Sequence, residues 1–338
     1  MKKVLRVLLT TLGLLALFSA LQLCFAAWGR PYETGGKIRV VDHVVYYRSG
    51  QSYAVVDYFD TDAAAASATS VAIRAEIDGK PVKKISLKSG VGNVNRTVTR
   101  ISLPNSLRVI GKSAFQGCAA LSWVGGYSNA AFVDDSAFAG TGFPTVRVLH
   151  TAVYGSAVFA NCKKLTTAVI ESGARPADLT IAYGMFSGCS ALRTLRFPNQ
   201  VGELTFAFHA FQNCTALQTL VLPKQSQHIY FNESSFLGCK SLQSIRNVNG
   251  TVTIGSSAFS GCTALQSMTI PTTTEYVAPW AFYNCPGLRT LRIEGTDRGL
   301  VQNGFLNYLP AGCTVYVKTR AMKRAAQDAG YSGKIVVG

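Results

Sequence analysis

The chain has 338 residues, of which 48% are hydrophobic and 15% are charged, a balance that is typical of folded proteins and excludes a disordered one. Lysine and arginine together number 33, against 17 aspartates and glutamates, so the formal net charge at pH 7 is +16. A basic excess attracts polyanions in general. No run of five or more lysines and arginines occurs, which excludes a basic binding tail.

Residues 1–26 predict an export signal. A basic start of Lys2, Lys3 and Arg6 is followed by an apolar run over 7–20 and then by Cys24 and Ala26, small residues at the positions that a signal peptidase reads, which is the order of a secretory signal peptide. We therefore expect cleavage after Ala26. An uncleaved membrane anchor is the open alternative, because the apolar stretch 7–28 approaches the roughly 20 residues that a span needs. Cys24 would also permit lipidation, but the residue before it is bulky where lipoprotein signals have a small one.

Residues 27–70 carry no repeat and predict an N-terminal β cap with a linker. Two β-rich runs, 40–47 and 53–58, are joined by 48–52 and predict a hairpin. The alanine-rich stretch 60–70 predicts a flexible connection. Because a repeat array exposes the apolar end of its first coil, we expect this unit of different sequence to cover it.

Residues 71–318 repeat the unit Ile-Gly-x-x-Ala-Phe-x-x-Cys-x-x-Leu-x-x-Leu-x-Ile-Pro, which 254–271 shows most clearly. Phe138 begins a copy with Thr141 in the cysteine position, and Phe305 falls where a further copy would begin. The spacing of successive phenylalanines, 21–27 residues, and the leucine pattern are the signature of a leucine-rich-repeat solenoid. The complete Phe-x-x-Cys step recurs at Phe115/Cys118, Phe159/Cys162, Phe186/Cys189, Phe211/Cys214, Phe236/Cys239, Phe259/Cys262 and Phe282/Cys285.

The repeat resembles the BspA-like leucine-rich repeat of bacterial secreted and surface proteins. The resemblance covers roughly residues 71–318, where 76–82 is similar to the family's opening segment and 314–317 to its closing strand. It implies a β-rich solenoid of short parallel strands stacked in coils. Proteins with this repeat are known mainly as adhesins and interaction proteins, so the resemblance implies a binding role. The family has no shared catalytic residues that could be assigned to this sequence. The resemblance is therefore specific for the fold and uninformative about the ligand.

Within each coil, a short strand that alternates sides with a period of two provides one wall of the core. In one coil this alternation predicts that Leu192, Leu195 and Phe197 point inward and that Thr194 and Arg196 point outward. The phenylalanine of the repeat fills the opposite wall, behind a second, shorter strand. Coils stacked at about 4.8 Å make a rod on the order of 40 Å long plus its caps.

The outward face of this main sheet is the candidate binding surface. Two interpretations stay open: threonine and arginine suit a half-exposed strand and keep an open sheet soluble, or the guanidinium groups bind carboxylate or sulfate while the hydroxyls bind sugar or peptide groups. Arg193 and Arg289 would widen such a strip. Its hydroxyl column is Thr167, Thr194, Thr219, Ser244, Ser267 and Thr290, and its second column is Val169, Arg196, Val221, Arg246, Thr269 and Arg292.

The cysteines predict a buried ladder of free thiols. Seven of the nine occupy the same place in successive coils and therefore stack in parallel at about 4.8 Å, whereas a disulfide needs converging Cβ atoms about 3.8 Å apart. A zinc site needs four converging ligands, which a straight ladder with no histidine in register does not offer. We expect no metal and no cofactor. Cys313 lies outside the series and is the candidate for a reactive thiol.

No catalytic motif is present in the sequence. The four histidines fall at different places in the repeat, and no His-Glu-x-x-His, Gly-x-Ser-x-Gly or phosphate-loop pattern occurs. The adjacent Asp134 and Asp135 would point to opposite faces of a strand and form no carboxylate pair. We therefore expect no enzymatic activity.

Residues 319–338 predict a C-terminal cap. The stretch 319–329 predicts a helix that Gly330 ends, and residues 335–337 predict a final apolar strand. The expected buried face of the helix consists of Ala321, Met322, Ala325 and Ala329.

Together these observations predict an exported, monomeric, adhesin-like protein, secreted or on the cell surface, whose repeat sheet binds a protein or an acidic polysaccharide. Nucleic acid is not an expected partner, and membrane contact is expected only if residues 1–26 stay uncleaved. A secreted or periplasmic scaffold that binds a sister bacterial protein is the first alternative. An enzyme with its site within residues 28–70 is the second.

Overall fold

The computed structural model describes residues 38–42, 44–58, 69–86, 97–171 and 176–338. The predicted signal at 1–26 and most of the predicted connection at 60–70 lie outside the described residues, and both stay predictions. Within the described residues, no helix has the length and apolar character that crossing a membrane requires.

The chain winds into a β-solenoid of about ten turns, which confirms the predicted leucine-rich-repeat architecture. Each turn is built from short strands, and two α-helices lie near the C-terminus. The strands are β1 (Ile38–Val41), β2 (Val44–Ser49), β3 (Ser52–Tyr58), β4 (Ser70–Ala72), β5 (Glu76–Ile77), β6 (Lys80–Ile85), β7 (Arg100–Ser102), β8 (Val109–Ile110), β9 (Trp123–Gly125), β10 (Phe132–Val133), β11 (Thr145–Leu149), β12 (Val153–Tyr154), β13 (Thr167–Glu171), β14 (Leu179–Ile181), β15 (Thr194–Arg196), β16 (Glu203–Phe206), β17 (Thr219–Val221), β18 (His228–Phe231), β19 (Ser244–Arg246), β20 (Thr251–Ile254), β21 (Ser267–Ile270), β22 (Thr274–Val277), β23 (Thr290–Ile293), β24 (Thr314–Val317) and β25 (Lys334–Val337); the helices are α1 (Gly299–Gln302) and α2 (Arg320–Asp328).

Two rows of parallel strands enclose one core. The main sheet is the row β4-β7-β9, β11-β13-β15, β17-β19 and β21-β23-β24-β25, and the opposite sheet is the row β3-β6-β8-β10-β12 and β14-β16-β18-β20-β22. Among the described strands, the hydrogen-bonded ladder of the main sheet is interrupted after β9, β15 and β19, and that of the opposite sheet after β12.

A stack of phenylalanine rings runs along the core. Neighbouring ring centroids lie 5.1–5.8 Å apart and the rings are nearly parallel, from Phe115 through Phe138 to Phe282. Phe138 lies within the stack, so the copy that lacks cysteine is a structural coil like the others. On the opposite wall Leu192 and Leu195 are buried as predicted, and the half-buried Phe197 meets the ring of Phe206 edge to face at 6.0 Å.

The cysteines form the predicted ladder of buried free thiols. Each thiol after the first copy donates a hydrogen bond to the carbonyl oxygen of the phenylalanine in the preceding copy, for example Cys189 to Phe159 at 3.0 Å and Cys285 to Phe259 at 3.1 Å. Thr141, in the cysteine position, is also buried and its hydroxyl donates to the Phe138 carbonyl oxygen at 2.8 Å.

The expectation of a reactive Cys313 is wrong. Its side chain is buried beneath Tyr331, whose hydroxyl donates to the Cys313 carbonyl oxygen at 3.4 Å. Burial raises the pKa of the Cys313 thiol to about 11, so the nucleophilic thiolate is scarce at neutral pH.

The N-terminal strands differ in detail from the predicted hairpin. The run 40–47 is broken by a turn at Asp42, where φ is 51°, so that β1 and β2 pair antiparallel with each other and β2 pairs with β3. The turn between β2 and β3 is also tighter than expected, since Ser49 and Ser52 are cross-strand partners. β3 then pairs parallel with β6 at the first turn of the opposite sheet.

The C-terminal segment continues the main sheet as well as closing the core. Helix α2 begins after Thr319, whose hydroxyl accepts a hydrogen bond from the Met322 N–H at 3.1 Å, and β25 pairs parallel with β24. The predicted buried face of the helix is partly wrong: Ala321 is exposed, and Ala326 is buried in its place beside Met322 and Ala325.

Candidate binding surface of the main sheet

The predicted hydroxyl column is in register wherever the main-sheet ladder is continuous. Thr167 pairs with Thr194, Thr219 with Ser244 and Ser267 with Thr290. The second column has the same register, with Val169 opposite Arg196, Val221 opposite Arg246 and Thr269 opposite Arg292. The ladder interruptions after β15 and β19 separate these pairs, so the strip lies on three separate sheets of three, two and four strands.

The arginines of the strip have different environments. The Arg292 guanidinium lies over the ring of Tyr316, with its carbon 4.4 Å from the ring centroid, so part of its charge is already engaged by the aromatic face. Arg196 and Arg246 are exposed and form no hydrogen bond or ion pair with any described side chain. Val221 lies between them in the column and is 43% exposed. In the second column, among the described residues, the arginines without a side-chain partner are therefore Arg196 and Arg246.

Arg193 and Arg289 lie one residue before the hydroxyl column and are both exposed. Their backbone N–H groups hydrogen-bond to the preceding coil: Arg193 donates to the Thr166 carbonyl oxygen and Arg289 to the Gln266 carbonyl oxygen. The two arginines thus border the strip as predicted by position, on coils that are four repeats apart.

The strip extends beyond the predicted residues at both ends. Thr145 pairs with Thr167 and Arg147 with Val169, and at the other end Thr314 pairs with Thr290. These residues could have been found by extending the alternation to the coil of Phe138 and to the closing strand. The ion pair between Arg147 and Glu171, in contrast, joins diagonal positions on neighbouring strands, and the repeat pattern does not predict it. Glu171 raises the pKa of Arg147 further above its usual range through a hydrogen bond.

The candidate catalytic histidines and aspartates do not converge in the part of the chain that the structure describes. Within the described ranges, no three histidine, cysteine, aspartate or glutamate side chains lie close enough to hold a metal ion. Asp134 and Asp135 lie in a turn after β10, where the Asp135 carboxylate accepts from the Ser156 N–H at 2.8 Å, and His43 lies outside the described residues. These aspartates therefore hold a turn between two coils.

The family model for the BspA type leucine rich repeat region matches in six copies, over residues 93–208 and 179–308, which is more than half of the chain. The chain belongs to this family. The matched BspA-type region contains the phenylalanine stack and most of the strip, and it ends before β24, α2 and β25. No curated protein matches the sequence.

Several solved structures are similar to this BspA-type protein. The pneumococcal vaccine antigen PcpA is 14% identical, with 90% of this chain and 99% of that chain covered and a TM-score of 0.38. A leucine-rich cell surface protein of Faecalibacterium prausnitzii is 16% identical, with 89% and 95% covered and a TM-score of 0.41. The T. pallidum leucine-rich-repeat protein is 19% identical, with 91% and 100% covered and a TM-score of 0.42.

Proposed function

We propose that this BspA-type protein is an exported, non-enzymatic binding protein of the cell surface, whose main-sheet strip binds an extracellular protein or an acidic glycan. The observation that carries the proposal is the pair Arg196 and Arg246, two exposed guanidinium groups without ion partners among the described residues, on alternate coils of one face. The signal-like segment 1–26 supports export.

The chemistry of the strip favours an extended anionic ligand. Two coils separate Arg196 from Arg246, about 10 Å at the strand spacing, and each guanidinium has a planar set of donors that forks onto carboxylate or sulfate. Thr194, Thr219 and Ser244 supply hydroxyl groups alongside. The net charge, +16 for the whole sequence and +13 without the three positive charges of Lys2, Lys3 and Arg6 in the predicted signal, adds a long-range attraction that raises the rate of encounter and weakens with salt.

The test compares binding of the purified protein to immobilised matrix proteins and to heparin and hyaluronate, at low and high salt. We expect salt-resistant binding to at least one ligand, weakened about tenfold or more in an Arg196→Gln/Arg246→Gln variant, since such fork contacts dominate polar binding sites. Arg320→Gln/Arg324→Gln is the matched control, because it removes two exposed charges from α2, outside the strip.

If both variants lose the same amount of ligand binding, and binding disappears at high salt, the ligand is attracted only by the diffuse basic surface and not by the strip. We would then favour the scaffold alternative. Its own signature is a stable complex with a sister protein purified from the producing cells, which the strip variant would leave intact.

A further inference from the structure

The main sheet is open between β9 and β11. In the part of the chain that the structure describes, these strands share no ladder hydrogen bond, although β9 pairs with β7 and β11 with β13. Gly126 turns the chain away after β9 with φ of 79°, and an added Cβ there would lie 2.5 Å from the carbonyl oxygen of Leu103, so the turn requires glycine.

The Tyr127 side chain replaces the missing strand contact. Its hydroxyl accepts from the Arg147 N–H at 2.6 Å and donates to the Arg147 carbonyl oxygen at 2.8 Å. Burial raises the pKa of Tyr127 to about 12, so this hydroxyl keeps its proton at neutral pH. Arg147, at the middle of the free edge of β11, therefore has both backbone groups paired without a neighbouring strand, and the Tyr154 hydroxyl likewise accepts from the Leu149 N–H at 3.1 Å.

A cleft of about 540 Å³ occupies this gap, within the roughly 300–1,000 Å³ of small-ligand sites. Its floor is apolar and comes from the core, with Val124, Phe143 and Val146 all buried. Its rim carries the exposed hydroxyl side chains of Ser128 and Thr145.

One wall of the cleft is the indole of Trp123, which is 41% exposed. The guanidinium carbon of Arg100, on the β7 side, lies 4.5 Å from the ring centroid and covers one face of the indole. Since β7 and β11 flank β9 on opposite sides, the other face is turned to the cleft. Gly125 makes this position possible, because an added Cβ would lie 2.2 Å from the indole ring atom Cη2.

The opposite wall carries the ion pair of Arg147 and Glu171. The charges around the cleft are thus already compensated, Arg147 by Glu171 and Arg100 by the indole face. What remains for a ligand is one aromatic face, the unused donors and lone pairs of the ion pair, and hydroxyl groups. A matching ligand is uncharged, with an apolar face on one side and several hydroxyls on the other.

We propose that this cleft is a saccharide subsite that binds one neutral pyranose ring of a glycan. The C–H face of the ring packs on Trp123, and neighbouring hydroxyls donate to Glu171 and accept from Arg147. The cleft shares Thr145 and Arg147 with the end of the strip, but it involves neither Arg196 nor Arg246 and does not depend on the function proposed for them.

The experiment is saturation-transfer NMR and calorimetric titration of the purified full-length protein with lactose, maltose, cellobiose and N,N′-diacetylchitobiose. Adenosine serves as a planar aromatic probe. We expect binding of at least one sugar, weakened about tenfold or more by Trp123→Ala and by Glu171→Gln, as expected for contacts at the centre of a site. Trp280→Ala, which removes an exposed tryptophan in another coil, and Arg196→Gln/Arg246→Gln should bind the sugar as the unchanged protein does.

Gly125→Ala is the second variant, because it leaves Trp123, Arg147 and Glu171 in the sequence but displaces the indole from its position. It should weaken the sugar by at least as much as Glu171→Gln while the circular dichroism spectrum is unchanged. The proposal is overturned if no sugar of the panel binds, if Trp123→Ala and Gly125→Ala bind it undiminished, or if adenosine binds in preference to every sugar. A loss of glycan or matrix binding confined to the arginine variant concerns the strip alone.

Discussion

Each ladder cysteine combines a small apolar side chain with one hydrogen-bond donor. Cys214 is fully buried, and its thiol donates to the Phe186 carbonyl oxygen at 3.2 Å. Valine or alanine would fill the same space but remove one of the two hydrogen bonds to that carbonyl oxygen, leaving only the Cys189 N–H at 3.1 Å, at a cost of about 1 kcal/mol. Thr141 at this position also carries a donor, but it donates to the carbonyl oxygen of Phe138 in its own coil and not to the preceding coil.

The thiols should make the protein less stable at alkaline pH. Burial raises the pKa of Cys239 to about 12 and of Cys285 to about 11, from an ordinary value of 9.0. The buried thiols contribute fully to the free energy of unfolding below pH 9, where they are protonated in both the folded and the unfolded state. As the pH rises from 9 towards the folded-state pKa values, thiols of the unfolded state release their protons while the buried ones cannot, so this contribution is lost. The free energy of unfolding should fall by up to about 1.4 kcal/mol per pH unit for each thiol, measured by urea unfolding between pH 8 and 11.

A Cys239→Ser/Cys285→Ser variant is the control for other titrating groups, since serine keeps a donor but does not ionise. Its stability should decline less steeply over the same range. An identical pH dependence in both proteins would contradict the assignment of the effect to the thiols.

At the scale of the element, each coil makes its sharp turn before the phenylalanine with a residue of positive φ. The position is held by Gly184 at 56°, by Ala157 at 56° in the preceding coil and by Ser257 at 56° in a later coil. A Cβ at Gly184 would meet only ordinary contacts, the nearest at 3.9 Å. Gly184→Ala should therefore destabilise by about 1–2 kcal/mol through backbone strain alone, and Ala157→Gly should be neutral or stabilising. Thermal melts of both variants measure this, and equal losses in both would contradict it.

The coil was predictable because its positions repeat. Phenylalanine, cysteine and leucine return at a fixed spacing, so one coil determines the core of the next, and alternation along the strand places Arg196 and Arg246 on the outward face. The cleft was not predictable, because it depends on a single departure from the period: Gly126 ends the pairing of β9, and Tyr127 satisfies the free edge of β11. The break between β1 and β2 is likewise a local turn, at Asp42 within a β-rich run whose only polar residues are Asp42 and His43.

At the scale of the molecule, stability should be local along the rod, since each coil contacts only its neighbours. Phe211 is fully buried, and its ring centroid lies 5.2 Å from that of Phe186 and 5.1 Å from that of Phe236. Phe211→Ala should cost about 3–5 kcal/mol. Hydrogen exchange should accelerate in these adjoining coils and much less in the coil of Phe115.

The matched control is Phe208→Ala, in the same coil, where the side chain is 46% exposed. Its cost should stay within about 0.5 kcal/mol, as for ordinary surface positions. A melting curve of Phe211→Ala that matches that of Phe208→Ala would show that the phenylalanine stack does not hold the coils together.

The staggered interruptions of the two sheets give the rod a directional compliance. Where the main sheet is open, between β9 and β11, the opposite strands β10 and β12 remain paired, and where the opposite sheet is open, one turn later, β11 and β13 remain paired. Each of these two gaps is thus backed by an intact ladder, and the two gaps lie on opposite faces. We expect a rod under tension to bend at such gaps, including those after β15 and β19 in the main sheet, before any coil separates, and a bend at the first gap would widen the cleft beside Trp123.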